Sequence, residues 1–212
     1  MTELILALDI TPAARAIEVA TACAPHLEAL KIGYPLALSA GLQIADDLAA
    51  LGPRLIADFK VADIPNTNRL ICEEVFAAGF DAVIVHGFAG ADAVQACVET
   101  ARTHGGSTYV VAEMSHPGAV EFFHAGIAER IAGLAVACGA DGIIAPATRP
   151  DRVKALRAIV GNRTIYSPGV GAQGGTPEAV AGDADGIIVG RMIYEARDPA
   201  AVAASIAAAI RR

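Results

Sequence analysis

The 212-residue chain is predicted to fold as one α/β domain, a single-domain (β/α)8 TIM barrel over residues 1–212. Short β-rich runs recur roughly every 25 residues with helical periodicity between most of them, a pattern that calls for parallel strands. The runs are mostly continuous apolar stretches, as strands are when both faces of a sheet are covered. Their number, eight, and the lack of a Gly-x-Gly-x-x-Gly turn after the first favour closure into a barrel over an open doubly wound sheet.

The first run, residues 4–8, follows the N-terminus with no basic region before it, so no signal peptide is expected. Thr11-Pro12 then offers a cap residue and a proline suited to the first helical position. Further strands are expected at 29–32, 55–59, 82–86, 109–113, 142–145, 164–167 and 186–189. Pro150 opens and Gly161 closes a helix in which Val153, Leu156 and Ile159 fall at helical spacing. The alanine-rich stretch 200–210 is the last barrel helix, too short to cross a membrane. No linker or low-complexity run marks a second domain.

Composition narrows the function. The formal charge is −7 and the basic residues are scattered, which argues against nucleic acid as a partner while leaving room for a local anion pocket. No window approaches the ~20 uninterrupted apolar residues of a membrane span. Cys23, Cys72, Cys97 and Cys138 sit in apolar segments without Cys-x-x-Cys spacing. Reduced structural thiols in a cytoplasmic protein are expected, and no metal site.

The chemistry concentrates at residues 58–67. Asp58 and Lys60 stand two strand rises of ~3.3 Å apart, on one face, where an apolar strand ends. Asp63 follows as the chain turns out. Charges at such a place cost desolvation energy unless they are paired. Taken alone, Asp58 and Lys60 fit a structural ion pair as well as a site. The other strand ends decide between these readings. Barrels place their chemistry there, and the ends deliver Asp9, Lys31, His86, Glu113 with Ser115, and Arg191 to one rim.

A second signal lies in the last two connections. Pro168, Gly169, Val170, Gly171, Ala172, Gln173, Gly174 and Gly175 follow the seventh strand, and Gly190-Arg191 the eighth. Barrels bind phosphate at these two loops, through exposed backbone N–H groups and a cation. Gly190 allows close approach, Arg191 offers a forked grip, and Gln173 can donate from above.

Together these motifs resemble the orotidine 5′-monophosphate decarboxylase family, in its compact archaeal and bacterial form. The resemblance rests on Asp58-x-Lys60-x-x-Asp63-Ile64-x-x-Thr67, with Leu6-Ala7-Leu8-Asp9 and Leu30-Lys31-Ile32-Gly33 before it. Glu113-Met114-Ser115-His116-Pro117-Gly118, the glycine loop and Val189-Gly190-Arg191 follow in the family's order. It implies decarboxylation of orotidine 5′-monophosphate to uridine 5′-monophosphate, with no cofactor. Lys60 would donate the proton to C6 of the pyrimidine. Asp58 would face the substrate carboxylate, with Lys31 and Asp63 completing an alternating charge network. Asp9, Lys31 and Thr67 would meet the ribose, Ser115 the pyrimidine, and Gln173, Gly190 and Arg191 the phosphate. The resemblance further implies a homodimer in which Asp63 and Thr67 reach into the partner's site.

Two other readings are open to the same scaffold. Mg2+-dependent sugar-phosphate decarboxylases and aldolases resemble the Asp-x-Lys-x-x-Asp pattern but carry an acidic ligand at the end of strand two, where this chain has Lys31. A non-catalytic phosphate-binding barrel would keep the glycine loop and Arg191 but has no use for two lysines interleaved with aspartates. Glu113 is read as an anchor behind the site, and His86 and His116 as hydrogen-bonded supports. His26, His104 and His124 are read as surface residues.

Overall fold

The structure is a computed structural model and describes residues 2–171, 173–180 and 182–211. Eight parallel strands close in sequence order: β1 (Glu3–Leu8), β2 (Ala29–Gly33), β3 (Arg54–Val61), β4 (Ala82–His86), β5 (Ser107–Val111), β6 (Gly142–Ile144), β7 (Thr164–Pro168) and β8 (Gly186–Val189), which pairs back onto β1. Around them run α1 (Ala13–Cys23), α2 (Tyr34–Ala40), α3 (Ile44–Ala49), α4 (Pro65–Ala77), α5 (Ala91–Thr103), α6 (Val120–Phe123), α7 (Ile127–Ala137), α8 (Pro150–Val160), α9 (Arg191–Tyr194) and α10 (Pro199–Ile210). The predicted barrel is therefore the observed fold.

Leu4, Ile5, Leu6 and Leu8 on β1 are all buried, as are Leu30, Ile32, Leu55 and Ile56 on β2 and β3. Strands covered on both faces explain the unbroken apolar runs. The barrel is packed rather than open along its axis. At the N-terminal end Tyr166 Oη donates to Glu3 Oε2 (2.7 Å), which also accepts from Arg54 Nη2 (2.7 Å). The Tyr109 and Tyr166 rings sit 4.8 Å apart just above. The cavity is thus confined to the C-terminal end.

Several local expectations are corrected. Thr11 does not cap the first helix. Pro12 takes the cap position in extended geometry, and its carbonyl accepts from Arg15 N and Ala16 N, so α1 begins one residue later than the proline rule places it. In α8 the buried face is Val153, Leu156 and Val160, while Ile159 is 37 % exposed. A step of four residues after Leu156 continues the stripe toward the barrel, and a step of three turns it to solvent. Strand β3 runs to Val61, past the expected end at 59, whereas β5 stops at Val111, short of Glu113, and β6 at Ile144. The four cysteines are free, and Cys23, Cys72 and Cys97 are buried. Among the described residues no helix is long and apolar enough to cross a membrane.

Candidate active site

Register sets the site. Lys31 on β2 lies beside Ala7 of β1 and Ile56 of β3, and Gly33 lies beside Asp58. Lys31, Asp58 and Lys60 thereby converge on the C-terminal mouth together with Asp9, just past β1. Gly33 leaves the space into which the Asp9 carboxylate projects.

The strand alternation that predicted Asp58 and Lys60 on one face is locally distorted. The β3–β4 register shifts between Ala57 and Val61, and Lys60 adopts φ 45°, a left-handed conformation uncommon for a side-chain-bearing residue. Such outliers cluster at functional sites. Here the bulge brings Lys60 Nζ to 2.6 Å from Asp58 Oδ1.

Asp58 is the centre of the charge cluster. Its second oxygen lies 2.5 Å from Lys31 Nζ, and that same ammonium stands 3.9 Å from Asp9 Oδ2. Burial pushes the Asp58 carboxyl up, but the charges and hydrogen bonds of Lys31 and Lys60 outweigh it and hold the group below the ordinary carboxylate value. Lys31 is buried, whereas Lys60 is 35 % exposed and faces the cavity.

Part of the cavity wall is apolar. Ile84, Val111, Ile144 and Ile188 each come from a different strand and offer apolar contacts to a planar ring in the cavity. None of these four was singled out from the sequence. Their signal is the alternation of the barrel strands, which turns every second residue inward. Met114 and Tyr194 also line the cavity and were equally missed.

The third side is formed by the loop after β7 and the turn after β8, where an anion site was expected. Pro168, Gly169, Val170, Gln173, Gly190 and Arg191 line it, and Ser115, beside Gly169, lines the cavity too. The loop folds on itself: Gly171 N donates to Gly175 O (2.9 Å), Gly174 N to Gly171 O (2.8 Å), and Gly175 N to Gly169 O (3.1 Å). Gly171 and Gly174 thus shape the loop without lining the cavity. Gly169 has φ 96°, and a side chain there would meet Thr148 Cγ2 at 3.0 Å, Gln173 Oε1 at 3.1 Å and Ser115 Cβ at 3.5 Å. Only glycine fits that position without strain. Ala172, also expected in the anion site, lies outside the described residues.

Asp63 and Thr67 do not line this cavity. Asp63 is exposed, its N–H donating to Asn68 Oδ1 (2.9 Å) and its carboxylate accepting from Ile64 N (2.7 Å). Thr67 is half-buried in the first turns of α4.

Glu113 lines the cavity beside Met114 yet is fully buried, held by Arg149 Nη1 (3.0 Å) and Arg152 Nε (2.8 Å). Glu113 was expected as an anchor behind the site; it reaches the cavity wall instead, and its two arginine partners were not picked out from the sequence. His86 corrects another expectation. Its Nδ1 is buried without a hydrogen-bond partner among the described residues, and the ring packs near Phe88 and Phe123 instead, at centroid distances of 5.9 and 6.4 Å. Burial lowers its basicity first, the Lys60 charge lowers it further, and Asp58 opposes both.

A closed eight-stranded α/β barrel with a charged floor, an apolar wall and a glycine-lined mouth defines a (β/α)8-barrel enzyme whose site is built at the strand C-termini. Residues 2–206 match the profile of the orotidine 5′-phosphate decarboxylase / HUMPS family, and the chain belongs to that family. It is 54 % identical to orotidine 5′-phosphate decarboxylase of Methanosarcina mazei, over 99 % of this chain and 96 % of the relative. To the Thermococcus kodakarensis orotidine 5′-phosphate decarboxylase it is 46 % identical, with 93 % and 92 % covered. The crystal structure of orotidine 5′-monophosphate decarboxylase from Methanocaldococcus jannaschii, complexed with inhibitor BMP, superposes with a TM-score of 0.96 at 39 % identity, covering 100 % of both chains.

Proposed function

We propose that this enzyme decarboxylates orotidine 5′-monophosphate to uridine 5′-monophosphate, completing UMP biosynthesis, with Lys60 as the proton donor and no metal or organic cofactor. The observation that carries the reading is Asp58 held between Lys31 and Lys60, at 2.5 and 2.6 Å, on the floor of the cavity. The glycine loop and Arg191 would seat the phosphate, the isoleucine wall would take the pyrimidine, and C6 would then face Lys60. Asp9 and Lys31 would meet the ribose and Ser115 the ring.

As the C6–carboxylate bond breaks, its electron pair stays on C6, in the ring plane, where no π system delocalises it. An ammonium fixed beside that carbon stabilises the charge as it develops and then transfers its proton to C6. Asp58, 2.6 Å from that ammonium, fixes its position on the cavity floor. It would also crowd the substrate carboxylate, a repulsion relieved when CO2 leaves. Phosphate binding at a distance supplies free energy for closing the site.

The reading extends to a homodimer of cytoplasmic enzyme. Asp63 and Thr67, outside their own cavity, would enter the partner's. Mixing Lys60→Ala with Asp63→Ala protomers would then regenerate one intact site per hybrid dimer and restore activity that neither variant has alone. A Mg2+-dependent sugar-phosphate enzyme is disfavoured by Lys31, whose ammonium sits between Asp58 and Asp9 where a dication would bind. Orotidine 5′-monophosphate mixed with the purified protein, followed by ultraviolet absorbance with and without EDTA, tests the assignment. Conversion unaffected by EDTA is expected. No conversion, or conversion that EDTA abolishes and Mg2+ restores, contradicts it.

A further inference from the structure

We propose that Arg149 is a positioning residue that locks Ser115 to the phosphate-side loop, fixing the separation between ring and phosphate contacts; this rests on the decarboxylase reading above. Arg149 lies on the turn between β6 and α8, with its side chain only 20 % exposed. Its guanidinium reaches back to the segment after β5. Nη1 donates to the Met114 carbonyl at 2.7 Å, and Nη2 to the His116 carbonyl at 3.1 Å. These carbonyls flank Ser115, whose backbone is therefore clamped on both sides by one planar group.

The clamp is itself braced. Glu113 takes Arg149 Nη1 on one oxygen and Arg152 Nε on the other, and Arg152 Nη1 reaches Glu129 of α7 at 2.6 Å. A buried carboxylate with two guanidinium partners is rigid and well satisfied. Arg149 and Arg152 together balance Glu113 and Glu129, but charge balance alone does not call for the two bonds that Arg149 gives to main-chain carbonyls.

The other end of the same turn is tied to the anion mouth. Ala147 N donates to Pro168 O at 2.8 Å, and Thr148 bounds the space beside Gly169 that Ser115 and Gln173 also border. One short segment, 147–149, thus bonds to the segment that carries Ser115 and to the start of the loop that carries Gln173. Arg149 lines no part of the cavity and would act only through Ser115. Arginine is specific for this, since its fixed fork spans two carbonyls and a lysine ammonium is a single point.

The test is a double-mutant cycle on kcat/KM with orotidine 5′-monophosphate, joined to amide hydrogen exchange on the free protein. Arg149→Ala and Ser115→Ala should each lower kcat/KM by about 10- to 100-fold, the scale of a misplaced contact. The double variant should match Ser115→Ala within about twofold. Multiplying losses, or an Arg149→Ala enzyme of normal kcat/KM, would overturn the proposal. Arg149→Lys, which keeps a charge beside Glu113, should recover thermal stability but not kcat/KM; recovery of both counts against the clamp. Arg152→Ala removes a charge from Glu113 without touching residues 114–116, and its loss should multiply with that of Ser115→Ala.

Hydrogen exchange reads the linkage without turnover, so it stands even if the wild-type protein fails to convert the nucleotide. In Arg149→Ala, exchange should accelerate in residues 113–117 and in the loop after β7 together. Acceleration confined to 113–117 would refute the link.

Discussion

Asp58 has lower affinity for protons in the folded chain than in the unfolded one, because two ammonium groups outweigh its burial. A depressed carboxylate stabilises the fold above its unfolded value of about 3.9 and loses that contribution as pH falls through the lower folded value. Thermal melting of wild type should therefore drop more between pH 5 and pH 3 than melting of Asp58→Asn. Equal drops would deny the coupling. His86 acts in a different window. Its folded imidazole is harder to protonate than the unfolded one, so the unfolded state takes up more protons as pH falls below about 6.5. Stability is then complete above that pH and declines below it. Because Nδ1 has no partner and the ring lies against Phe88 and Phe123, His86→Phe should fold and lose less stability than wild type between pH 7 and pH 5. Parallel melting curves across that range would remove His86 from the account.

At the scale of elements, the helix after β6 shows where sequence periodicity is decisive and where it is ambiguous. Val153 and Leu156 were legible as its buried face, but the next apolar pair, Ile159-Val160, offers either continuation. Only packing against the barrel chooses Val160, which is 4 % exposed. Val160→Ala should cost about 2 kcal/mol of unfolding free energy, and Ile159→Ala no more than about 0.5–1 kcal/mol. Chemical denaturation of the two variants checks the order, and a reversed order would place the wrong residue in the core. The β3 bulge was hidden for a related reason. Alternation along a regular strand predicts the Asp58–Lys60 pairing, and the pairing is found, but through a left-handed Lys60 that no local sequence signal announces. The arginines behind Glu113 were equally hidden, because they lie 36 and 39 residues away and meet it only once the barrel has closed.

For the whole molecule, the repeating strand–helix unit made the barrel readable, since each parallel strand must bury both faces and each helix must cover one. Barrel closure then carries Asp9, Lys31, Asp58, Lys60, Ser115, Gln173, Gly190 and Arg191 to one cavity. The polar half of the site was legible because charge stands out against apolar strands. The apolar half was not, because Ile84, Val111, Ile144 and Ile188 read as ordinary core until the cavity they share is seen. Asp63 and Thr67 fall outside their own cavity, and a second protomer is where the proposal places their action.

The proposed chemistry depends on one ammonium, that of Lys60, beside the carbon that loses CO2. Turnover of Lys60→Ala at saturating orotidine 5′-monophosphate, measured beside its affinity for uridine 5′-monophosphate, examines that dependence most directly. The account predicts turnover lowered by at least about 1,000-fold, with product affinity kept within about tenfold of wild type. A Lys60→Ala enzyme that turns over at a near-normal rate would contradict it.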